Sequence, residues 1–530
     1  MTLKIGLFVD RMKLAVWQVQ ALEALAGSHE FVVYNCLNTA GGRRRLKHAL
    51  YYALNLFTIR NPLTREVPLE GPRFEAAPRR DFEAEQDGAW QRLPEGLLEA
   101  IRADRPDVIL KFGLSLLRVP DPHTLAAPIL SYHHGDPAAF RGRPAGFWEV
   151  LQSARAVGQI VQILSNRLDA GQVVAFAETR VHPHSYRQTL MEAYRHSPML
   201  LGRGIANALA GKTLPIEPSG RNYRLPGNGT VAGFVLRLWA RTLRRLAYGL
   251  FVEKAWSVST CPAGCDAALG EGGLAEPARW TTIPTPKGYT FLADPFFEPD
   301  DGDLLVEALN RSTGAGEILR IGQAGRTHRL TSGERHFSYP AAFTWAGETY
   351  LLPETSEWSN LRLYALGQED LKDLGELDIR PRRRIIDPTP HERNGTFYLF
   401  GNDGAEGPNA LRLWVGNGPL DVLREHPASP ILISPRGGRM AGALIVVEGR
   451  LYRLGQDGTG AYGDGLLAFE VTVLTSESYC EVPAGAVRFS GIKGPHTLNF
   501  REGRAVFDWY RDRATPLAGL RRLRGRLARA

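Results

Sequence analysis

The sequence predicts two folds in one chain: an α/β unit with a mostly parallel, Rossmann-like sheet over residues 1–215, and an all-β five-bladed propeller over residues 255–515. Three observations carry this. Through the first part, short apolar runs alternate with helical patterns. From Trp256 onward the helical period is lost, and a hairpin motif then recurs five times at intervals of about fifty residues. A linker with a basic amphipathic helix, 216–254, joins the two folds, and a basic tail, 516–530, ends the chain.

In the first part, Ile5 to Val9, Phe31 to Tyr34, Val108 to Phe112, Ile129 to Tyr132 and Ile160 to Leu164 are apolar runs of strand length. Gln18 to Leu25, Pro94 to Ala103 and Tyr186 to Leu209 have helical periodicity. Strands separated by helices imply parallel pairing, with any site outside the carboxyl ends of the strands. No glycine-rich dinucleotide fingerprint follows the first strand, which removes a nicotinamide reading. Residues 40–93 lack a clear period and are expected to be an insertion or mobile segment; residues 211–230, rich in Pro and Gly, are expected to be a linker.

In the second part, Asp294-Pro295, Tyr339-Pro340, Asp387-Pro388, Ala441-Gly442 and Pro495-His496 are each followed, seven residues after the second member, by Gly302, Gly347, Gly395, Gly449 or Gly503. Three residues further on stand Leu305, Tyr350, Tyr398, Tyr452 and Val506. Each copy reads as strand, glycine turn, strand, the glycine supplying the positive φ of a tight hairpin. The residue on each second strand is expected to pack against the neighbouring blade.

Chemistry concentrates in residues 131–171. Ser131-Tyr132-His133-His134-Gly135-Asp136-Pro137 leads to Phe140-Arg141-Gly142, then to a lone Gly158 and to Leu168-Asp169-Ala170-Gly171. His133, at the end of a strand, is a candidate base, and the loop-borne Asp169 is placed to orient its imidazole. Moving a formyl group to an amine needs such a base, its orienting partner and a hydrogen-bond donor for the oxyanion. A turn of this composition can equally serve only to cap neighbouring backbone groups.

With that order and spacing, the first part resembles the folate-dependent formyltransferases, the family of methionyl-tRNA formyltransferase and the sugar N-formyltransferases. The resemblance implies a 10-formyltetrahydrofolate donor, with Phe112, Gly113, Leu114, Arg141 and Gly142 lining its pocket. It also implies catalysis by His133 and Asp169. The family's asparagine is Ser131 here. Losing one oxyanion donor typically costs about 2.7–4 kcal/mol of transition-state stabilisation, so Ser131 or His134 is expected to fill the role. The second part resembles the arabinanase-like propellers, and more closely the propeller of the glucosamine inositolphosphorylceramide transferase family, in Ala293-Asp294-Pro295-Phe296-Phe297 and Pro353-Glu354-Thr355. That resemblance implies a central channel lined by Asp294, Glu307, Glu354, Asp387, Arg439 and His496, suited to holding a sugar. The expected function is formyl transfer to the amine of an amino-sugar or glycoconjugate acceptor recognised by the propeller. Two alternatives stay open: a catalytically inactive relic that binds glycans, or a propeller with its own glycosidase or glycosyltransferase activity.

Length suits two large domains or three smaller ones, and 44% hydrophobic with 23% charged residues is an ordinary globular composition. Lys and Arg outnumber acids only 64 to 56, and the basic residues are not gathered into one nucleic-acid motif, so a tRNA acceptor is not expected. Basic runs occur at Arg43 to Lys47, Arg237 to Arg245 and 517–530. The last two suit a membrane surface or an acidic partner, although Phe234, Leu238, Trp239, Leu243 and Leu246 can equally pack between two domains. Cys36, Cys261, Cys265 and Cys480 have no zinc-site spacing and read as reduced thiols, so no metal is expected. The opening apolar run is short and ends at Asp10, like a strand and unlike a signal peptide, and no run reaches the ~20 apolar residues of a membrane span. The expected location is the cytoplasm, peripheral to the inner face of the membrane.

Overall fold

The structure, a computed structural model, describes all residues except 1, 26, 28, 39–44, 122, 271–273, 275, 369 and 530. Side chains of 524–529 are likewise outside the described set. Arg43 and Arg44 of the first basic run, and the side chains of Arg524, Arg526 and Leu527 in the tail, therefore lie outside the described residues. The chain divides into two compact units, Met1–Leu243 and Arg244–Ala530.

All five strands expected in the first unit form. Five strands run parallel, in the order Arg79–Phe82, Glu30–Cys36, Lys4–Asp10, Val108–Lys111 and Ile129–His133. Beyond His133 the direction changes: Ala156–Ile163 and Gln172–Arg180 pair antiparallel, as do two short strands after Asp10. The sheet is thus mixed, which corrects the mostly parallel expectation. The short loop 164–171 accounts for the last of these pairs, since it can only close a hairpin, whereas parallel neighbours need a crossover of a dozen or more residues. That same loop carries Asp169 back toward His133.

Two further differences have local causes. Tyr186 to Leu209 is two helices, Tyr186–His196 and Leu201–Leu209, separated by a 3₁₀ turn that contains Pro198, which has no N–H to continue the ladder. Residues 40–93, expected as an insertion, contribute helix Ala49–Phe57 and strand Arg79–Phe82, and bury Tyr51, Leu69, Phe82 and Leu93. Within the stretch read as a linker, Arg221–Tyr223 pairs in parallel with Phe140–Gly142.

Between its terminal helical segments, from Val252 to Ala514, the second unit is an all-β, propeller-like ring of five sheets. Four consist mainly of consecutive strands; the fifth joins Thr281–Thr282 and Val252–Pro262 to the final pair Leu498–Arg501 and Arg504–Ala514. Each sheet packs on the next, and Tyr289–Phe297 packs on the last two strands, closing the ring. All five repeat glycines have positive φ. At Ala346-Gly347, Asn394-Gly395, Glu448-Gly449 and Glu502-Gly503 both central turn residues do, the type I′ geometry whose twist matches the strands it joins. Leu305, Tyr350, Tyr398, Tyr452 and Val506 are buried between sheets, as the repeat predicts.

Helix Asn228–Phe251 matches the expected basic helix. Phe234 stacks on Phe147 at 4.3 Å between centroids, and Leu238 packs against the same cluster. Trp239, 67% exposed, and Leu243 and Leu246 are instead exposed along the helix. Replacing Gly395 (φ +72°) by valine is predicted to cost about 1–2 kcal/mol, because a β-branched side chain must enter the left-handed region. Urea unfolding of the two proteins measures this; an unchanged midpoint would rule out the turn geometry.

Candidate functional site

The first site forms where three segments meet at the end of the parallel sheet. Strand alternation sends Tyr132 and His134 to one face and Ser131 and His133 to the other. On the first face, Trp17, Phe112, Tyr132, His134 and Tyr194 form an aromatic cluster. His134 Nε2 lies 2.8 Å from Ser197 Oγ, and burial with the neighbouring His133 pushes the imidazole down to about 3. His134 is therefore a neutral, part-buried residue engaged by Ser197 on the face opposite Ser131 and His133.

On the other face, His133 Nδ1 lies 3.4 Å from Asp169 Oδ1, and its Nε2 is 3.5 Å from the Phe140 carbonyl. Both are longer than good hydrogen bonds, as catalytic contacts often are before substrate arrives. Asp169 adopts a left-handed backbone (φ +45°), and its Oδ2 accepts the Gly142 N–H at 2.8 Å. Gly142 has φ +87°, and a β-carbon there would lie 2.1 Å from the Tyr223 carbonyl. Strand 221–223 presses on it, while Arg141 Nε donates to the Gly220 carbonyl at 2.8 Å. The lone Gly158 has the same kind of cause: a side chain would collide with the Asp136 backbone at 2.7 Å.

Ser131 Oγ donates to the Tyr132 carbonyl at 3.3 Å, turned toward backbone. Directly across the sheet is Lys111, in register with Ser131, a residue the sequence reading did not single out. Its Nζ donates to the Leu114 carbonyl at 3.1 Å. Burial pulls the ammonium down to about 8, while Asp10 and Asp169 draw it back up. A buried cation thus sits in the field of the carboxylate that grips His133.

Of the expected pocket residues, Phe112 belongs to the aromatic cluster and Leu114 (φ +64°) donates its N–H to Asp10 Oδ1 at 3.0 Å. Gly113 has no room for a β-carbon beside Asp10. The space beside Ser131, lined among others by Lys111, Phe112, Tyr132 and Leu201, is about 170 Å³. That figure includes space open to solvent, so the enclosed part is smaller still.

In the second unit all six expected channel residues fall into one connected cluster. Asp294 (φ +46°) and Asp387 (φ +48°) occupy bulges created by their Asp-Pro pairs. Asp387 takes a bidentate ion pair from Arg439, and its N–H donates to Glu354 Oε2 at 3.1 Å. His496 Nδ1 lies 3.2 Å from Asp294 and 3.1 Å from Asp508. Burial opposes charge on His496, but the two aspartates outweigh it and push the imidazole up to about 10. Asp294 is held down chiefly by His496 against the effect of its burial, whereas burial, Asp294 and Glu354 hold Glu307 well above the usual carboxylate range. Glu354 is pushed up to about 7 by burial and Asp387.

Asp508 was missed by sequence reasoning although it is central. It accepts the N–H groups of Asp294, His496 and Thr497 at 3.1, 2.9 and 2.8 Å. A signal existed: Asp508 lies two residues beyond Val506, as Glu307 lies two beyond Leu305. Tyr462 and Trp256 were also missed, with rings 4.5 and 5.3 Å from that of His496. His496 Nε2 is buried with no hydrogen-bond partner. Asp294, His496 and Asp508 are close enough to hold a metal ion, but the proton on Nδ1 already satisfies both carboxylates, and an ion would have to displace it.

A raised folded-state pKa contributes stability that is complete below the unfolded value near 6.5 and is lost as pH rises through about 10. The wild-type second unit is therefore predicted to lose stability between these limits, and His496→Asn to remove that dependence while lowering stability by about 3–5 kcal/mol. Urea unfolding at pH 6 and pH 10 checks both statements.

Residues 282–503 match a family model described as the N-terminal region of glucosamine inositolphosphorylceramide transferase 1. The rice (Oryza sativa subsp. japonica) protein of that name is 33% identical over 242 residues, 43% of this chain and 32% of the relative. The chain thus spans about a third of the length of that curated relative. The fold of the first unit is similar to glycinamide ribonucleotide transformylase 1 from Symbiobacterium toebii (TM-score 0.25, 18% identity, 40% of this chain and 89% of that one). That of the second is similar to a family GH43 β-xylosidase/α-arabinofuranosidase from a compost metagenome (TM-score 0.30, 14% identity, 38% and 79%).

Proposed function

We propose that this chain is a transferase that moves a formyl group from a 10-formyltetrahydrofolate-type donor to the amine of a sugar-containing acceptor, the second unit acting as a five-bladed propeller that holds the glycan. The observation that carries the reading is the His133–Asp169 pair, with Asp169 pinned from behind by the Gly142 N–H. The donor supplies the formyl carbon. His133 Nε2 takes the proton of the amine as its nitrogen bonds to that carbon, then returns it to the departing donor nitrogen. Asp169 fixes the ring and balances the imidazolium charge. Lys111, in place of the missing asparagine, faces the oxyanion with a buried ammonium, a group worth far more there than in water. Because the present cleft is small, donor binding in this reading requires the Gly113–Ser115 turn to part from Asp10.

The sugar half of the proposal rests on the second unit. An unpartnered imidazolium N–H beside the rings of Tyr462 and Trp256 is a pairing that suits a hydroxylated ring stacked on an aromatic face. The matching relative is named as a transferase of a sugar-bearing lipid, which favours a lipid-linked or nucleotide-linked amino sugar as acceptor. A second reading has its own observation: Asp294, held down, stands beside Glu307, held well above the usual carboxylate range, the kind of split that acid–base chemistry in the channel itself needs.

Transfer of labelled formyl from 10-formyltetrahydrofolate to amino sugars is the test. His133→Ala is predicted to abolish it, and Lys111→Met to lower kcat by about 10²–10³-fold. Unchanged transfer in either variant removes its assigned role. Failure of the wild type to bind folates by calorimetry would leave a glycan-binding relic. Sugar cleavage or transfer by wild type that is lost in Asp294→Asn would favour the second reading.

A further inference from the structure

We propose that the apolar face formed by the C-terminal end of helix Asn228–Phe251 together with helix Ala518–Arg529 docks on an anionic lipid surface. Leu246, Leu250, Phe251, Leu520 and Leu523 are each more than half exposed. Isolated exposed leucines need no explanation, but a contiguous row of them does. The two helices are built against each other: Gly519 leaves room for only a light contact, with its β-position 3.1 Å from Leu250. Arg522 donates to the carbonyls of Gly249 and Val252, closing the end of the longer helix, and Arg521 pairs with Glu253 at 2.9 Å. Along the longer helix Leu236, Trp239, Leu243, Leu246 and Leu250 follow three- and four-residue steps, which place them on one face.

Charge identifies the occupant. No Asp or Glu occurs in residues 218–252 or 513–530, whereas the two helices carry nine arginines. Glu253 between them is engaged by Arg513 and Arg521. A second copy would bring two arginine-rich segments without acids together, at an electrostatic cost. An anionic membrane offers what the face lacks: negative headgroups for the arginines and an acyl boundary for Trp, Phe and Leu. Among the described residues no helix is long and apolar enough to cross, so the helices lie on the surface.

Co-sedimentation of the full chain with vesicles tests this, comparing phosphatidylcholine alone with an equimolar mixture of phosphatidylcholine and phosphatidylglycerol. Binding is expected to the mixed vesicles and to weaken with added salt. The double variant Leu250→Asp, Leu520→Asp should bind at least about tenfold more weakly, and Arg244→Glu about fivefold. Circular dichroism verifies that the variants are folded. Equal binding to both vesicle types, no binding to either, or full binding by the double variant would overturn the proposal. So would a solution dimer that Leu250→Asp dissolves, because it would assign the face to a second copy.

Discussion

An aspartate driven into the left-handed backbone region and turned onto an imidazole is the interaction on which both sites depend. A non-glycine residue holds such a conformation only where its surroundings over-determine it. For Asp169 the surroundings are the hairpin loop 164–171 and the Gly142 N–H, itself fixed by strand 221–223. For Asp294 they are the bulge of its Asp-Pro pair and the hydrogen bonds from Thr497 and to Asp508. In each case the backbone aims the carboxylate and the histidine follows.

The two pairs differ in what surrounds them, and this sets what they can do. His133 lies part-buried at the end of its strand, with one nitrogen beside Asp169 and the second 3.5 Å from the Phe140 carbonyl. His496 is sealed between two carboxylates and remains an imidazolium through neutral pH. It serves as a fixed donor and as a clasp between the first and last strands of the ring. Removing either partner would leave an uncompensated buried charge, which is why the clasp supports the fold as well as the channel. Lys111 is intermediate, buried yet aimed at the same cleft as Ser131.

Much of this was legible in the chain, because it rests on local rules. The five glycine turns were readable since each needs a residue with positive φ, four of them as type I′ hairpins, and their spacing alone counted the sheets. The five early strands were readable from apolar runs, and His133 and Asp169 from an ordered motif. Asp508 was not, since its role arises from three backbone N–H groups that converge on it, one of them 214 residues away along the chain. The direction of Ala156–Ile163 was hidden too, because strand pattern carries no sign of pairing sense.

The sequence by itself determined which segments pair with water and which with the core, where turns must fall, and which residues could carry chemistry. Periodicity and the steric demands of glycine and proline are properties of neighbours along the chain. Only the tertiary structure decided that His134 faces an aromatic cluster, that Lys111 stands opposite Ser131, and that the arginine helices keep an apolar row in solvent. Those outcomes depend on what distant segments bring to each face, and burial and charge are set by that company.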